Sequence, residues 1–264
     1  MLQLNAQEKK KIEADQAVFQ FVLKGDAATA FLRFVKGLGR ILAEFQFAVD
    51  KKGISLSSMD SANVSMIVVK WNKQQLSKFK CRRKGRVLVS DNAFKSFAPK
   101  RNKDLEIAVK ETDLIFKYGA LRLKSPLLEL EGSEPAKLPN LLFKTSILMD
   151  RDPLLEAVRS IGRKFDNVLF SFDPTAKILS LKAVEGSEEI EQDLPVKKIE
   201  RGKTIVECKY SPEYLAKLLS LYPAKSKISL EFKKEYPLKV TLKEPRKTGF
   251  GSLVTVLAPR VDND

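Results

Sequence analysis

Residues 50–67 read DKKGISLSSMDSANVSMI. Asp50-Lys51-Lys52-Gly53 is a turn signal, Ile54 and Leu56 begin an alternation of apolar and polar residues, and Val64 and Met66 resume it. Between them sits a short polar knot, Met59-Asp60-Ser61-Ala62-Asn63. Two strands interrupted by such a knot pose the question from which the rest of the chain is read.

The chain has 264 residues, long enough for a sizeable core and for about two domains. No apolar run approaches the ~20 residues that span a bilayer, and the N-terminal segment MLQLNAQEKKKIEADQ lacks the apolar centre of a signal peptide. The sequence is that of a soluble, non-membrane protein with a polar N-terminal extension over residues 1–17. Cys81 and Cys208 are its only cysteines, with no Cys-x-x-Cys pair, which argues against a disulfide framework or a thiolate zinc site and for a reducing compartment. Without a secretion signal, the sequon Asn63-Val64-Ser65 is an accidental match.

Histidine is absent, which removes imidazole triads, His-based metal sites and imidazole acid–base catalysis. Arg201-Gly202-Lys203-Thr204 looks like the end of a phosphate loop, but Lys197 stands where that loop needs its first glycine. Carboxylates are plentiful but scattered among lysines, so the reading is of a protein that is not an enzyme, with no metal and no cofactor. The net charge of +15 exceeds the magnitude of about 2–8 that suffices for solubility of a small domain, which points to a polyanionic partner.

Alternating strand patterns dominate, and only four segments carry helical periodicity. Those four fall into two pairs. Residues 34–50 lie over residues 157–173 without a gap, matching Val35 to Val158, Lys36 to Arg159, Gly39 to Gly162, Arg40 to Arg163, Phe47 to Phe170 and Asp50 to Asp173. Further on, a helix opening at Ser90-Asp91 and leading to a strand at Leu105 corresponds to one opening at Ser211-Pro212 and leading to Ile228. The order strand, helix, strands, helix, strands therefore occurs twice: a duplicated α+β domain over residues 18–127 and 140–264. Residues 128–139, LELEGSEPAKLP, form an acidic connecting loop.

On the first helix Phe31, Leu32, Val35, Leu38 and Leu42 form an apolar face, while Thr29, Arg33, Lys36 and Arg40 recur on the other side. The third helix turns Leu154, Leu155, Val158, Ile161 and Phe165 inward and Glu156, Arg159, Ser160 and Arg163 outward. Lys95 projects opposite Phe94 and Phe97, and Lys217 opposite Leu215, Leu218 and Leu219. A solvated helix ordinarily mixes signs to gain i,i+4 pairs, and these helices are expected to forgo that. Lysine and arginine without aromatic neighbours suit contacts to phosphates, which position a protein on a duplex without reading bases. The run Lys78-Phe-Lys-Cys-Arg-Arg-Lys-Gly-Arg86 falls at a strand and its turn and is not placed by this pattern.

Three stretches now converge: residues 50–65 with the knot, Pro237-Leu-Lys-Val240, and Leu257-Ala-Pro-Arg-Val261. In this order on a duplicated domain, they resemble the signatures of the proliferating cell nuclear antigen (PCNA) family of DNA sliding clamps, archaeal ones in particular. The resemblance covers nearly the whole chain after residue 17. It implies a DNA clamp fold of two similar domains, each with two helices packed on antiparallel sheets, three subunits closing a ring around duplex DNA. Such a clamp is a processivity factor that tethers DNA polymerase, the clamp loader, flap endonuclease and DNA ligase through short peptide motifs.

By matching positions, the resemblance puts Lys36, Lys95, Arg159 and Arg163 in the channel, to which helical spacing adds Arg33, Arg40 and Lys217. It assigns Met59, Asn63, Val64, Met66, Leu138, Pro139, Pro237, Val256, Leu257, Ala258 and Pro259 to an apolar pocket for the partner peptide. Asn63 stands where many relatives have His, and Val256 where many have an aromatic residue. Subunit contacts between edge strands are expected near Tyr118, Leu121 and Leu123 and near Ile178, Leu179 and Leu181. Homotrimer and heterotrimer, including a checkpoint-type ring, stay open, as does a basic duplex-binding protein that never closes. Localisation follows the source: the cytoplasm with the nucleoid for an archaeon, the nucleus for a eukaryote.

Overall fold

The computed structural model describes residues 17–99, 103–129, 134–244 and 249–260; the polar extension over residues 1–16 lies outside them. The chain divides into two compact units: Met1–Leu56 with Val69–Pro135 and Arg246–Gly251, and Ser57–Val68 with Ala136–Pro245 and Ser252–Asp264. The architecture is α+β, with helices few and short beside the strands.

In chain order the first half contains β1 (Phe19–Leu23), α1 (Gly25–Leu38), β2 (Glu44–Asp50), β3 (Gly53–Met59), β4 (Ser65–Asn72), a 3-10 turn (Lys73–Gln75), β5 (Ser77–Cys81), β6 (Gly85–Ser90), α2 (Asn92–Lys95), β7 (Leu105–Val109), β8 (Asp113–Tyr118) and β9 (Leu121–Pro126). The second half contains β10 (Thr145–Asp150), α3 (Arg151–Ile161), β11 (Val168–Asp173), β12 (Ile178–Glu185), β13 (Glu188–Pro195), β14 (Lys198–Arg201), β15 (Val206–Tyr210), α4 (Pro212–Leu219), β16 (Lys227–Phe232), β17 (Leu238–Leu242) and β18 (Ser252–Leu257). The first unit has the sheet β5-β1-β7-β8-β9 and the run β3-β2-β6; the second has β14-β10-β16-β17-β18 and the sheet β13-β12-β11-β15.

Alternation places one face of each strand inward. On β2, Phe45, Phe47 and Val49 are buried while Glu44 and Asp50 are exposed, and on β11 Val168, Phe170 and Phe172 are buried. The expected apolar faces of the longer helices are also buried: Phe31, Leu32, Val35, Leu38 and Leu42 in one unit, Leu154, Leu155, Val158, Ile161 and Phe165 in the other.

The internal repeat extends to hydrogen bonds. Asp50 Oδ1 accepts from the backbone N–H of Lys52 at 2.7 Å and of Gly53 at 3.2 Å, and Asp173 Oδ1 accepts from Thr175 at 2.7 Å and Ala176 at 3.2 Å. These carboxylates close the hairpin turns β2–β3 and β11–β12 in the same way, an Asx-turn that substitutes a side chain for a backbone acceptor. The two glycines end their helices alike, Gly39 N–H donating to Val35 C=O at 3.1 Å and Gly162 N–H to Val158 C=O at 2.9 Å. A Cβ at Gly39 would lie 3.3 Å from Asp91, and one at Gly162 3.3 Å from Pro212. Both contacts fall at the opening of the next helix, so the missing side chain lets paired helices approach.

Gly53 is the most constrained glycine: its φ is +147° and a Cβ there would sit 2.0 Å from the carbonyl oxygen of Trp71. Gly53→Ala is expected to cost about 3 kcal/mol or more through strain and backbone displacement. A melting temperature lower by roughly 6 °C or more would show it, and an unchanged midpoint in a calorimetric scan would contradict this account of the turn.

Candidate functional site

The polar knot of residues 59–63 is a closed loop organised by one buried carboxylate. Asp60 is 5 % exposed. Its Oδ1 accepts from the Ser65 N–H at 2.6 Å, its N–H donates to Ser65 C=O at 3.0 Å, and its C=O accepts from Asn63 N–H at 3.0 Å. The chain thus returns on itself between β3 and β4, with the Asp60 carboxylate and the backbone groups of Asp60 and Ser65 paired inside the loop rather than by solvent. Asn63 carries the turn at φ 57°, a left-handed conformation that Asn, Asp and His adopt far more readily than branched residues.

Around this loop, within the second unit, the other assigned pocket residues gather. Val64 C=O accepts from Ala258 N–H at 2.8 Å, tying the loop to the segment after β18. Ser57 Oγ donates to Ala136 C=O, holding the described part of the connecting loop against β3. Met59 and Leu138 are each 40 % exposed, Asn63 and Pro139 are exposed, and Val64, Pro237, Ala258 and Pro259 are half-buried. Met66, Val256 and Leu257 are buried, so they support the surface from beneath. Two large apolar side chains exposed beside prolines and a rigid polar turn are a surface with anchors to offer. Sequence reading left Ser57 and Asp60 out of this site; the residues are visible in the sequence, but their partners, Ala136 and Ser65, are set by the fold.

The cationic residues divide into paired and unpaired. Arg33 and Arg40 are exposed and Lys36 is half-buried on or just beyond α1; Arg159 and Arg163 are exposed on or beyond α3, with Arg159 Nη2 donating to Ser220 Oγ at 3.0 Å. Thr29, expected on the outer stripe, is instead 5 % exposed, and its hydroxyl donates to Gly25 C=O at 3.2 Å. A threonine that satisfies its hydroxyl on the preceding turn can enter a core at little cost. The short helices do use i,i+4 pairs, contrary to expectation. Lys95 Nζ lies 3.0 Å from Asp91 and donates to Asn92 Oδ1 at 2.6 Å, and Lys217 lies 2.6 Å from Glu213, whose carboxyl that ammonium holds below its ordinary range.

The expected contact strand near Ile178, Leu179 and Leu181 also needs correction. Those residues lie on β12, which pairs with β11 on one side and β13 on the other, so its backbone groups are used. Leu179 and Leu181 are fully buried. Their alternation marks a core strand, and the free edge belongs to the acidic β13. In the first unit β9 is an edge strand beside β8; Leu121 is 42 % exposed, Leu123 half-buried, and Tyr118 buried on β8. Among the described residues no cluster of three or more His, Cys, Asp or Glu could hold a metal ion, and no helix is long and apolar enough to cross a membrane.

Because the loop conformation rests on a left-handed residue, Asn63→Gly is expected to change stability little, whereas Asn63→Val should destabilise by about 1–2 kcal/mol. Equal denaturant midpoints for the two variants would show that the φ of residue 63 is not what shapes the loop.

Residues 21–113 match the family model described as proliferating cell nuclear antigen, N-terminal domain. No curated protein sequence matches the chain. Among solved structures, the A. fulgidus PCNA bound to the C-terminal region of FEN-1 superimposes with a TM-score of 0.79 at 18% identity, covering 93% of this chain and 100% of that one. PCNA from Thermococcus kodakaraensis gives a TM-score of 0.80 at 19% identity over 92% of this chain and 100% of that one. Proliferating cellular nuclear antigen from Entamoeba histolytica gives 0.80 at 18% over 93% and 100%. At such identities the likeness establishes the fold. The chain has the clamp fold of these proteins over more than nine tenths of its length, and its residues 21–113 match the model of the N-terminal domain of the proliferating cell nuclear antigen family.

Proposed function

We propose that the protein is a DNA polymerase sliding clamp: copies of the chain close into a ring of three around duplex DNA and tether replication and repair enzymes, without catalysing a reaction. The observation that carries this reading is the clamp fold, matched over the whole length of three such proteins. The basic outer faces of α1 and α3 support it, since flexible cations contact a backbone bearing one charge per ~1.7 Å without fixing a register. Topological closure makes tight contacts unnecessary. The surface formed by Met59, Leu138 and the chain after β18 would take a partner's short peptide; one of the matched structures is a PCNA with the C-terminal region of FEN-1 bound.

Two edges favour identical copies. β9 carries Arg122 and Lys124 and no acid, while β13 carries Glu188, Glu189, Glu191 and Asp193 and no base. One chain thus presents a basic edge and an acidic edge, the requirement for a heterologous contact that repeats around a ring.

Ring closure is tested by retention. A clamp loaded onto circular DNA should stay bound through a high-salt wash and be lost after linearisation; equal retention on both forms would favour an open duplex-binding protein. The edges are tested by mass in solution: Arg122→Glu with Lys124→Glu should shift a trimer to monomer, and added Glu191→Lys should restore part of the trimer. A trimer indifferent to all three changes would overturn the edge assignment. Leu138→Glu should lower capture of a partner peptide by at least about tenfold, the scale of a lost apolar anchor, as read by calorimetry.

A further inference from the structure

A second concentration of positive charge lies at the opposite end of β2 from the helices. The helical end is marked by Ala43, whose C=O accepts from Asp91 N–H at 2.9 Å, and by the pairing of Glu44 with Ser90 just before α2. The other end of β2 is the Asp50–Gly53 turn. Seven residues separate them, about 20 Å at the rise of a strand.

Lys51 and Lys52 occupy that turn. Lys52 C=O accepts from Lys73 N–H at 2.7 Å, which brings the 3-10 turn alongside. Val49 pairs with Gly85, which sets Arg83 and Lys84 of the β5–β6 turn beside it. Cys81 feels the charges of Asp50 and Lys51, so the end of β5 is there too, with Lys78 and Lys80 exposed along that strand. Residues 70–86 contain no acid. Of the acids on adjoining turns, Asp50 is spent on the turn's own N–H groups and Asp113 on Lys124 at 3.1 Å; Glu111 is exposed beside Asp113. Among the described residues, the side chains of Lys51, Lys52, Lys73, Lys78, Lys80, Arg83 and Lys84 enter no ion pair, in contrast to Lys95 and Lys217.

Edge protection explains part of this. β5 is an edge strand, and lysines on an edge discourage pairing with another chain. That accounts for Lys78 and Lys80 but not for Lys51, Lys52, Arg83 and Lys84, which stand in turns. An acidic protein partner would be expected to find an apolar or aromatic anchor beside the charge, and none of the exposed large apolar side chains falls among these residues. Single-stranded nucleic acid would call for exposed aromatic rings on which bases stack, and Phe79 is half-buried while Trp71 is buried.

We infer that the β2–β3 turn, the β5–β6 turn and the 3-10 turn together form a second phosphate-binding surface, which holds the backbone of duplex DNA without reading its sequence. The surface acts on its own, whether or not the chain closes into a ring. It would grip duplex outside the helical faces, for example flanking or incoming DNA.

The test is the binding of the full chain to a fluorescent linear duplex, followed by anisotropy at several salt concentrations, for the wild type and for Lys80→Ala/Arg83→Ala/Lys84→Ala. Each lost phosphate contact lowers the slope of log K against log salt by about 0.9, so the triple variant should lose between about 2 and 3 from the slope. The conservative Lys80→Arg/Lys84→Arg variant should keep it. Trimer mass and partner-peptide capture should be unchanged in all variants, which separates this surface from the clamp reading: failure of retention on circles leaves the slope result standing. An unchanged slope in the triple variant would overturn the inference. So would polyglutamate competing as well as duplex at equal charge, which would make the surface a site for acidic protein segments, or single strands binding with the larger slope.

Discussion

Aromatic packing around Trp71 fixes the first unit. The indole, 2 % exposed, has ring neighbours in Phe31 at 5.1 Å, Phe34 at 5.5 Å, Phe250 at 5.6 Å and Phe47 at 6.5 Å. Such rings bury large areas and prefer tilted or edge-on contacts, so they constrain angle as well as distance. Two of the four neighbours sit on α1, and they clamp one face of that helix to the core. Arg33 and Lys36 are left on the other face as a geometrical consequence: a helix held by Phe31 and Phe34 has no freedom to turn its cations inward. The second unit reaches the same result without a tryptophan, through Leu154, Leu155, Val158 and Ile161.

Charge is then sorted by what remains after packing. Where a cation has an acid one helical turn away, as Lys95 and Lys217 do, its field is partly cancelled at short range, and exposed pairs of this kind contribute little to stability. Where no acid stands within reach, the charge is available to a partner. The net +15 is therefore not spread evenly. The unpaired cations collect on the outer face of α1 and on the turns around Lys51 and Lys84, while β13 holds a block of acids.

Most of what is legible in the sequence is local. Helical faces, the strand alternation of β2 and β11 and the offset that carries Asp50 onto Asp173 depend on residues a few positions apart, and periodicity reports them directly. The i,i+4 pairs Asp91–Lys95 and Glu213–Lys217 are equally local, but they stand on the two short helices, away from the acid-free stripe of α1. What sequence could not supply were ladder partners. Residues 178–183 look like any alternating strand, and only the pairing with β11 and β13 shows that β12 lies inside its sheet. Asp60 is a similar case: in the sequence it is one polar residue in a polar knot, and only its burial reveals that it closes the loop beneath Met59 and Asn63.

Phe250 carries a consequence for how such a chain can change in evolution. It lies near the C-terminal end, yet it packs against Phe34 and Trp71 and is 1 % exposed within the first unit. Gly251 beside it donates its N–H to Lys70 C=O at 2.7 Å. The ancestral duplication is still legible in paired turns and helix ends, but the products are no longer autonomous modules. A gene fragment encoding only the first half would specify a core with one of its rings missing, so recombination at the midpoint is penalised. The two halves have become obliged to be inherited together.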